Sequence, residues 1–554
     1  MRRCRPSLVA LLSLLPACAP APPGATPPGV LVIGLPADVG SLDQHYARSA
    51  LDAAVSDPLS LPLFSTRFAD GRLEFGPGLA THWALDGDRT RLDLTLRPDS
   101  TWSDGQPVTA QDVAFTFALL ADPAAQSRFA RVAQLLAPEG GVAVADAQHL
   151  TFHLAQPVRL EDALAQLGGV VILPEHLLAS ISRADLRGHD FNRAPVLNGC
   201  WRLASWEAGR QIEFAARPWG EGPGACTPAL DRVVFRIVPD ATTRLGELGA
   251  GRLDLVADVR VQDLPALRAE HPELAFVRRG PRSLVYVGWN LHAPGSEAPH
   301  PLFGDVRVRR VLAQAVDVDR LIQDLFADPD GEEPLARRAV GTVTPALAGL
   351  LPEDTPPLPF DPDAARTALA EAGWADTDGD GVLDRNGLPF RFELLENASG
   401  ASRAQVGVAL QADLAAVGVK AELLSLERAA YFERLTKHDF DAEIGGWSGS
   451  LYVDPRSTWR SGPDAAHNYV GYASPEVDAL IGQAAMAPTS EEAHHAWRAM
   501  QAAIYADQPY LFLFWADEIV AVHSRFQDVQ VDLEAPWRAL DRWRVAGDEG
   551  TGVR

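Results

Sequence analysis

Lysine is nearly missing from this chain of 554 residues: Lys420 and Lys437 are the only two, and every other fixed cation is an arginine. That bias reads as genome composition, not mechanism. Cations as a whole are also short, 49 against 73 acidic residues, and the net charge is −24. So acidic a chain lacks the basic face that nucleic acid phosphates require. Assembled catalytic motifs are missing too. There is no phosphate-binding or dinucleotide-binding glycine run and no H-E-x-x-H. His494 and His495 are adjacent, so they cannot meet one metal from one side of a helix. Gly446-Trp447-Ser448-Gly449-Ser450 misses the G-x-S-x-G nucleophile elbow by one glycine. With no acid, base and nucleophile set, no enzyme is expected. The longest early apolar run, Leu8 to Leu15, is too short to span a bilayer as a mature helix.

What is present suits a soluble protein outside the cytoplasm. Apolar residues make up 47% and charged residues 22%, ordinary globular values. The length exceeds one core, so two or three lobes are expected. Arg2, Arg3 and Arg5 followed by Leu8 to Leu15 form the layout of a targeting segment. Leu15-Pro16-Ala17-Cys18 resembles a bacterial lipoprotein processing site, with Cys18 as the lipidated residue. The plainer alternative is a secretory signal with an incidental cysteine. Residues 19–29 are rich in proline and read as a semi-rigid tether. Of four cysteines, Cys200 and Cys226 then remain, and in an oxidising compartment the pair is expected to be bridged.

Val30 to Leu35 reads as a buried first strand. Thr90 to Arg97 alternates, with Leu92, Leu94 and Leu96 on one face. Thr109 with Asp112 predicts a capped helix start. Later, Asp361-Pro362 opens a helix that Gly373 ends, Phe390 to Leu395 is a strand, Gln405 to Val417 a helix and Lys420 to Leu426 a strand. That β-α-β order implies a parallel sheet. Residues 490–507 read as a helix, and Tyr510 to Trp515 and Glu518 to His523 as two strands. Phe440 to Ile444 is a short strand, and it runs into Gly446-Trp447-Ser448-Gly449-Ser450-Leu451-Tyr452-Val453-Asp454-Pro455. An aromatic plane, hydroxyls and a carboxylate on pliable backbone where a strand leaves a sheet mark a candidate ligand wall.

Several runs, in order, resemble the bacterial extracellular solute-binding proteins of family 5. They are Leu79-Ala80-x-x-Trp83, Trp102-Ser103-Asp104-Gly105-Gln106-Pro107-Val108-Thr109, Gly199-Cys200-Trp201 with Trp206-Glu207-Ala208-Gly209, and Leu248 to Asp254. Gly288-Trp289-Asn290, Asp305 to Asp317, and Asn468-Tyr469-Val470-Gly471-Tyr472 continue the match, which extends over about residues 30 to 530.

The resemblance implies an α/β, two-lobed periplasmic-binding-protein-like fold of the large type. Lobe I would comprise 30–58, 190–284 and 508–545, an extra subdomain 59–189, and lobe II 285–507. It implies the substrate-binding lipoprotein of an ABC importer, a monomer in the periplasm or cell envelope, membrane-held by its lipid alone. It would bind a peptide or peptide-like solute by hinge closure and dock on permease subunits. A lipid-anchored sensor or scaffold of the same fold is the alternative, and a serine-type hydrolase a remoter one. The expected ligand contacts are Trp447, Ser448, Gly449, Ser450, Asp454, Tyr286, Trp289 and Asn290. In peptide-binding relatives, W-x-x-D sets a carboxylate against the ligand's α-ammonium, and here Ser450 occupies that place. No cofactor is expected, apart from a structural calcium as an option. Asp376, Asp378, Asp380 and Asp384 space like the start of an EF-hand loop, although Gly387 stands at its twelfth place.

Overall fold

The computed structural model describes residues 27–546 except 28, 70, 139, 221–224, 332, 353–354, 399–400 and 463–464. The targeting segment, Cys18 and nearly all of the proline-rich tether lie outside the described residues. Among the described residues, no helix is long and apolar enough to cross a membrane.

One sheet of eleven strands runs through the molecule. From one edge its order is Lys420–Leu426, Arg391–Asn397, Ala442–Ser448, Leu274–Trp289, Tyr510–His523, Leu255–Val259, Val30–Leu35, Arg232–Ile237, Gln211–Ala216 and Trp201–Glu207. The short strand Ala336–Arg338 pairs beside Tyr510–His523. At each end the pairing is partly parallel: Arg391–Asn397 with Lys420–Leu426, and Val30–Leu35 with Arg232–Ile237. The helix Ala401–Ala415 makes the first of these crossovers, as β-α-β patterning implies.

The centre is antiparallel and unusually long. Leu274–Trp289 has 16 residues and Tyr510–His523 has 14, and they pair along nearly their whole length. Two strands were expected over 510–523, because polar Asp517 and small Ala516 interrupt the apolar run; the ladder carries the backbone through that gap. The lobe boundaries drawn at 284/285 and 507/508 fall within or at the mouth of these strands. Leu274 to Arg279 pairs with Glu518 to His523, beside Leu255–Val259. Ser283 to Gly288 pairs with Tyr510 to Ala516, beside Ala442–Ser448. Between them, from Arg279 to Ser283, the register shifts. The two strands therefore belong to both halves, and the break marks where the halves meet.

A separate four-stranded antiparallel sheet holds Ala80–Leu85, Arg91–Leu96, Val142–Val144 and His149–His153. Leu92, Leu94 and Leu96 are buried, as the alternation predicts. Thr109 and Asp112 form the capping box of helix Ala110–Leu120. This region does not have a core of its own. Leu94 and Phe152 belong to one continuous apolar cluster with Leu31, Ile33 and Phe235 of the main sheet. The sulfurs of Cys200 and Cys226 are bonded, with their Cα atoms 5.5 Å apart.

At the register break, Gly280 packs against the facing strand. A Cβ on it would lie 2.6 Å from the Asp517 Cα. Neither backbone can yield without disturbing the long ladder. Gly280→Ala is expected to cost about 1–3 kcal/mol, measured by denaturant unfolding against wild type; an unchanged midpoint would mean that the break has slack.

Candidate functional site

The strand Ala442–Ser448 lies between Leu274–Trp289, antiparallel, and Arg391–Asn397, parallel. It brings Trp447 opposite Leu284 and Ser448 opposite Ser283, next to the register break. Beyond Ser448 the chain turns away, held by the Gly449 N–H donating to the Arg282 carbonyl at 2.6 Å. Residues 445–455 thus form a wall beside the junction of the halves.

The wall has an aromatic face and a polar backing. Trp447 is half-buried; its ring lies 6.3 Å from that of Tyr469, nearly parallel, and 5.7 Å from His467. Its Nε1–H points to the Tyr510 hydroxyl at 3.4 Å. Tyr510 stacks on Tyr286 with centroids 3.7 Å apart. The Tyr286 ring in turn covers Gly445, where a Cβ would meet it at 2.4 Å, so glycine is needed there. Beneath the rings lies Glu443, 1% exposed, accepting from the hydroxyls of Tyr286 at 3.1 Å and of Tyr431. Burial raises its pKa from 4.5 to about 7, against the lowering effect of the two tyrosine hydroxyls.

Ser448 and Ser450 are exposed. The Ser450 hydroxyl lies 3.4 Å from Glu534 Oε1, which also accepts from the Leu451 N–H at 2.9 Å. Glu534 comes from the C-terminal segment, so a carboxylate from elsewhere in the chain stands at the loop where Ser450 offers none. Asp454 is exposed but not free. The Arg456 guanidinium donates to both its oxygens, at 2.7 and 2.9 Å. Burial works against its ionised form, yet those bonds hold its pKa below the usual value.

Across from the loop, residues 131–135 and 156–166 approach. Arg159 donates to the Ala484 carbonyl at 2.6 Å, near the C-terminus of helix Pro475–Met486, and pairs with Asp162. Arg89 donates to the Ala487 carbonyl at 3.2 Å. Cations at a helix C-terminus are favourably placed. Between these elements lies a cavity of about 450 Å³, with Arg131, Arg159, Asp162, Tyr452, Asp454 and Arg456 on its walls.

A concave space between two bodies joined by two strands, with Tyr452 and Trp497 in its lining, is a place to hold a small solute. Residues 74–467 match the family described as bacterial extracellular solute-binding proteins, family 5. This chain belongs to that family. It is 27% identical over 477 residues to the oligopeptide-binding protein AppA of Bacillus subtilis, covering 83% of this chain and 82% of that one. The structure of AppA with a nonapeptide superposes with a TM-score of 0.75 at 26% identity, covering 93% of this chain and 99% of AppA. NikZ of Campylobacter jejuni with Ni(L-His) gives 0.76 at 21% identity, covering 94% and 100%. The fold is therefore the two-lobed binding-protein fold, and the function class is binding of a solute outside the cytoplasm.

For a family 5 protein, three of the expected ligand contacts are misplaced. Trp289 is 1% exposed and packs on Phe303 and Phe392 with centroids 4.7 and 5.9 Å away. Asn290 is wholly buried, and its amide donates to the carbonyls of Phe440 at 2.7 Å and His438 at 3.1 Å. Tyr286 is 2% exposed and sandwiched between Gly445 and Tyr510. All three are buried and support the wall from within. Trp447, Ser448, Gly449, Ser450 and Asp454 do come together on the loop. Arg131, His467, Tyr469, Arg456 and Glu534 escaped the sequence reading. Only Arg456, two residues after Asp454, lay close enough in sequence to suggest itself.

The aspartate loop is a separate surface feature. Asp376, Asp378 and Asp380 offer oxygens within 4.8 Å of one another, while Asp384 turns to Thr377, whose N–H donates to it at 3.0 Å. Asp376 accepts from Gly379 and Gly381, and Asp378 from Asp380, so these carboxylates also brace their own turn.

Glu443 gives the wall a pH signature. Its folded-state pKa lies above its ordinary value, so the protonated form favours folding. Stability from this group is full below pH 4.5 and is lost as pH rises through about 7. The loss is at most about 3 kcal/mol. Glu443→Gln is expected to flatten the decline in denaturation midpoint between pH 4.5 and 8; parallel wild-type and variant curves would assign the titration elsewhere.

Proposed function

We propose that this protein is the substrate-binding component of an ABC importer, taking a peptide or peptide-like solute between its lobes. The observation that carries the reading is the pair of long strands shared by both halves, with the aromatic loop wall directly beside their register break. Such a junction lets the halves swing about the break while the sheet stays paired. A solute that contacts both halves stabilises the closed arrangement, and a permease then reads that arrangement. AppA, bound to a nonapeptide, supports the peptide class. NikZ, bound to Ni(L-His), shows that the same fold also houses a small chelate.

Lipidation of Cys18 would hold the protein at the membrane surface, with residues 19–29 as spacer. Cys18→Ser is expected to move the protein from the membrane fraction to the soluble periplasmic or culture fraction, read by immunoblot; retention on the membrane would end the lipid reading.

Native mass spectrometry of the protein purified from its own host tests the solute class. A co-purified mass that fragments as a short peptide is the expected result. A sugar or a metal chelate would overturn the peptide reading and leave the solute-binding fold in place.

A further inference from the structure

The helix Pro475–Met486 ends on carbonyls that its own chain does not satisfy. Ala484 lies in its last turn and Ala487 is its C-cap, and the last four carbonyls of a helix lack intrahelical donors. Four places after Ala484 stands Pro488, which has no N–H to give. Ala484 is wholly buried and Ala487 nearly so, and a buried carbonyl without a donor is costly. The donors come from the facing body. Arg159 gives its Nη1–H to Ala484 at 2.6 Å and to Ala487 at 3.4 Å, and Arg89 donates to Ala487 at 3.2 Å. The two arginines sit on adjoining backbone, since the Val158 N–H donates to the Arg89 carbonyl at 3.0 Å. Arg159 is 7% exposed and is the N-cap residue of helix Leu160–Gly168, a poor place for a cation as far as its own helix goes. It is well placed for the helix C-terminus that it faces. The contact also crosses between cores. Val158, Ala163 and Leu164 belong to the apolar cluster of the first lobe, while Ile481 and Ala484 belong to a second cluster with Tyr286 and Tyr510. The hairpin of Phe64–Ala69 and Arg72–Pro77 spans the same two clusters: Phe64 lies in the first, and Phe68 and Leu73 pack on the second.

We infer that Arg159 and Arg89 form a clasp that holds the lobes shut, and that it tightens the binding of every solute by one common factor. This rests on the hinge-closure reading above and assigns the closing contact to the region 59–189. Two observations carry it. First, parting the lobes would take the arginines away from Ala484 and Ala487, so closure gains three charge-assisted bonds whatever lies in the cavity. Second, the donors are spent on the protein. Arg159 commits Nη1 to the two carbonyls and Nη2 to Asp162. Arg89 is not among the residues that line the cavity. Both are positioning residues: they act on the angle between the lobes and not on the solute. A group that changes only the closed fraction scales all affinities alike, because the contacts made by the solute itself are untouched.

Small-angle scattering of the whole mature protein reads the lobe angle through the radius of gyration. Calorimetry reads affinity for random pentapeptide mixtures in three forms: unmodified, N-acetylated and C-terminally amidated. Without peptide, the double variant Arg89→Gln/Arg159→Gln is expected to have a larger radius than wild type. At saturation it should reach the wild-type value, which also shows that it is folded. Its affinity should fall about tenfold or more. Arg89→Gln alone should weaken all three mixtures by the same factor, about threefold, and Arg89→Lys, which keeps a donor, should recover part of the loss. A double variant with the radius and affinity of wild type, in a wild type that contracts on peptide, overturns the clasp and leaves hinge closure standing. A loss in Arg89→Gln that differs among the three mixtures also overturns it, because it would mark contact with the solute. If neither protein changes radius under any condition, hinge closure falls and the clasp falls with it. If none of the mixtures binds, the peptide reading fails and the starting radius alone decides the clasp: a larger double variant supports it and an unchanged one overturns it.

Discussion

The backbone pairing of Leu274–Trp289 with Tyr510–His523 is the constraint on which the rest depends. Each strand carries one lobe's sheet on one stretch and the other lobe's sheet on another. Every further strand is placed by reference to this ladder: Ala442–Ser448 on one end, Leu255–Val259 on the other. The register break near Gly280 lies between the two sets, and a second shift follows between Val285 and Tyr286. Trp447 owes its position to this arrangement, since it faces Leu284 just past the break.

The carboxylates of the wall beside that break each accept from a neighbouring donor. Glu443 is held between tyrosine hydroxyls, Asp454 is closed by Arg456, and Glu534 spends its acceptor on backbone. Beside them stand the rings of Trp447 and Tyr469 and the exposed hydroxyls of Ser448 and Ser450. Such a wall discriminates weakly among apolar side chains, because flat rings and a wide cavity accept many shapes. It discriminates more strongly on charge, because an unpaired group in a closing space is expensive whichever sign it has.

Local features were legible in the sequence and long-range pairings were not. The alternation over Leu92, Leu94 and Leu96, the Thr109 capping box, the helix opening at Pro362 and the strand Lys420–Leu426 stand where periodicity and capping chemistry put them. Each depends on residues within a few positions of one another. Glu534 lies 84 residues from Ser450, and no local pattern links the two. Arg131 and Asp454 line one cavity only because two separate layers face each other. Trp289 and Asn290 fail for another reason. Trp289 ends a strand whose last residues are buried on both faces, and such a run has no polar alternation to say which side chains look toward solvent. Their neighbours Phe303 and Phe392 decide it, and those arrive from other elements. The two-strand reading of 510–523 shows the same limit: Asp517 looks like punctuation until the facing ladder is seen to run past it.

The shared apolar cluster that joins Leu94 and Phe152 to Leu31 and Phe235 has a mechanical side. The region 59–189 and the strands of the first lobe have no seam between them that solvent or shear could open. Shifting one against the other would expose hydrocarbon on both sides. The same fusion means that the region cannot be lifted out as a cassette. Excision at its boundaries would strip hydrocarbon from both sides.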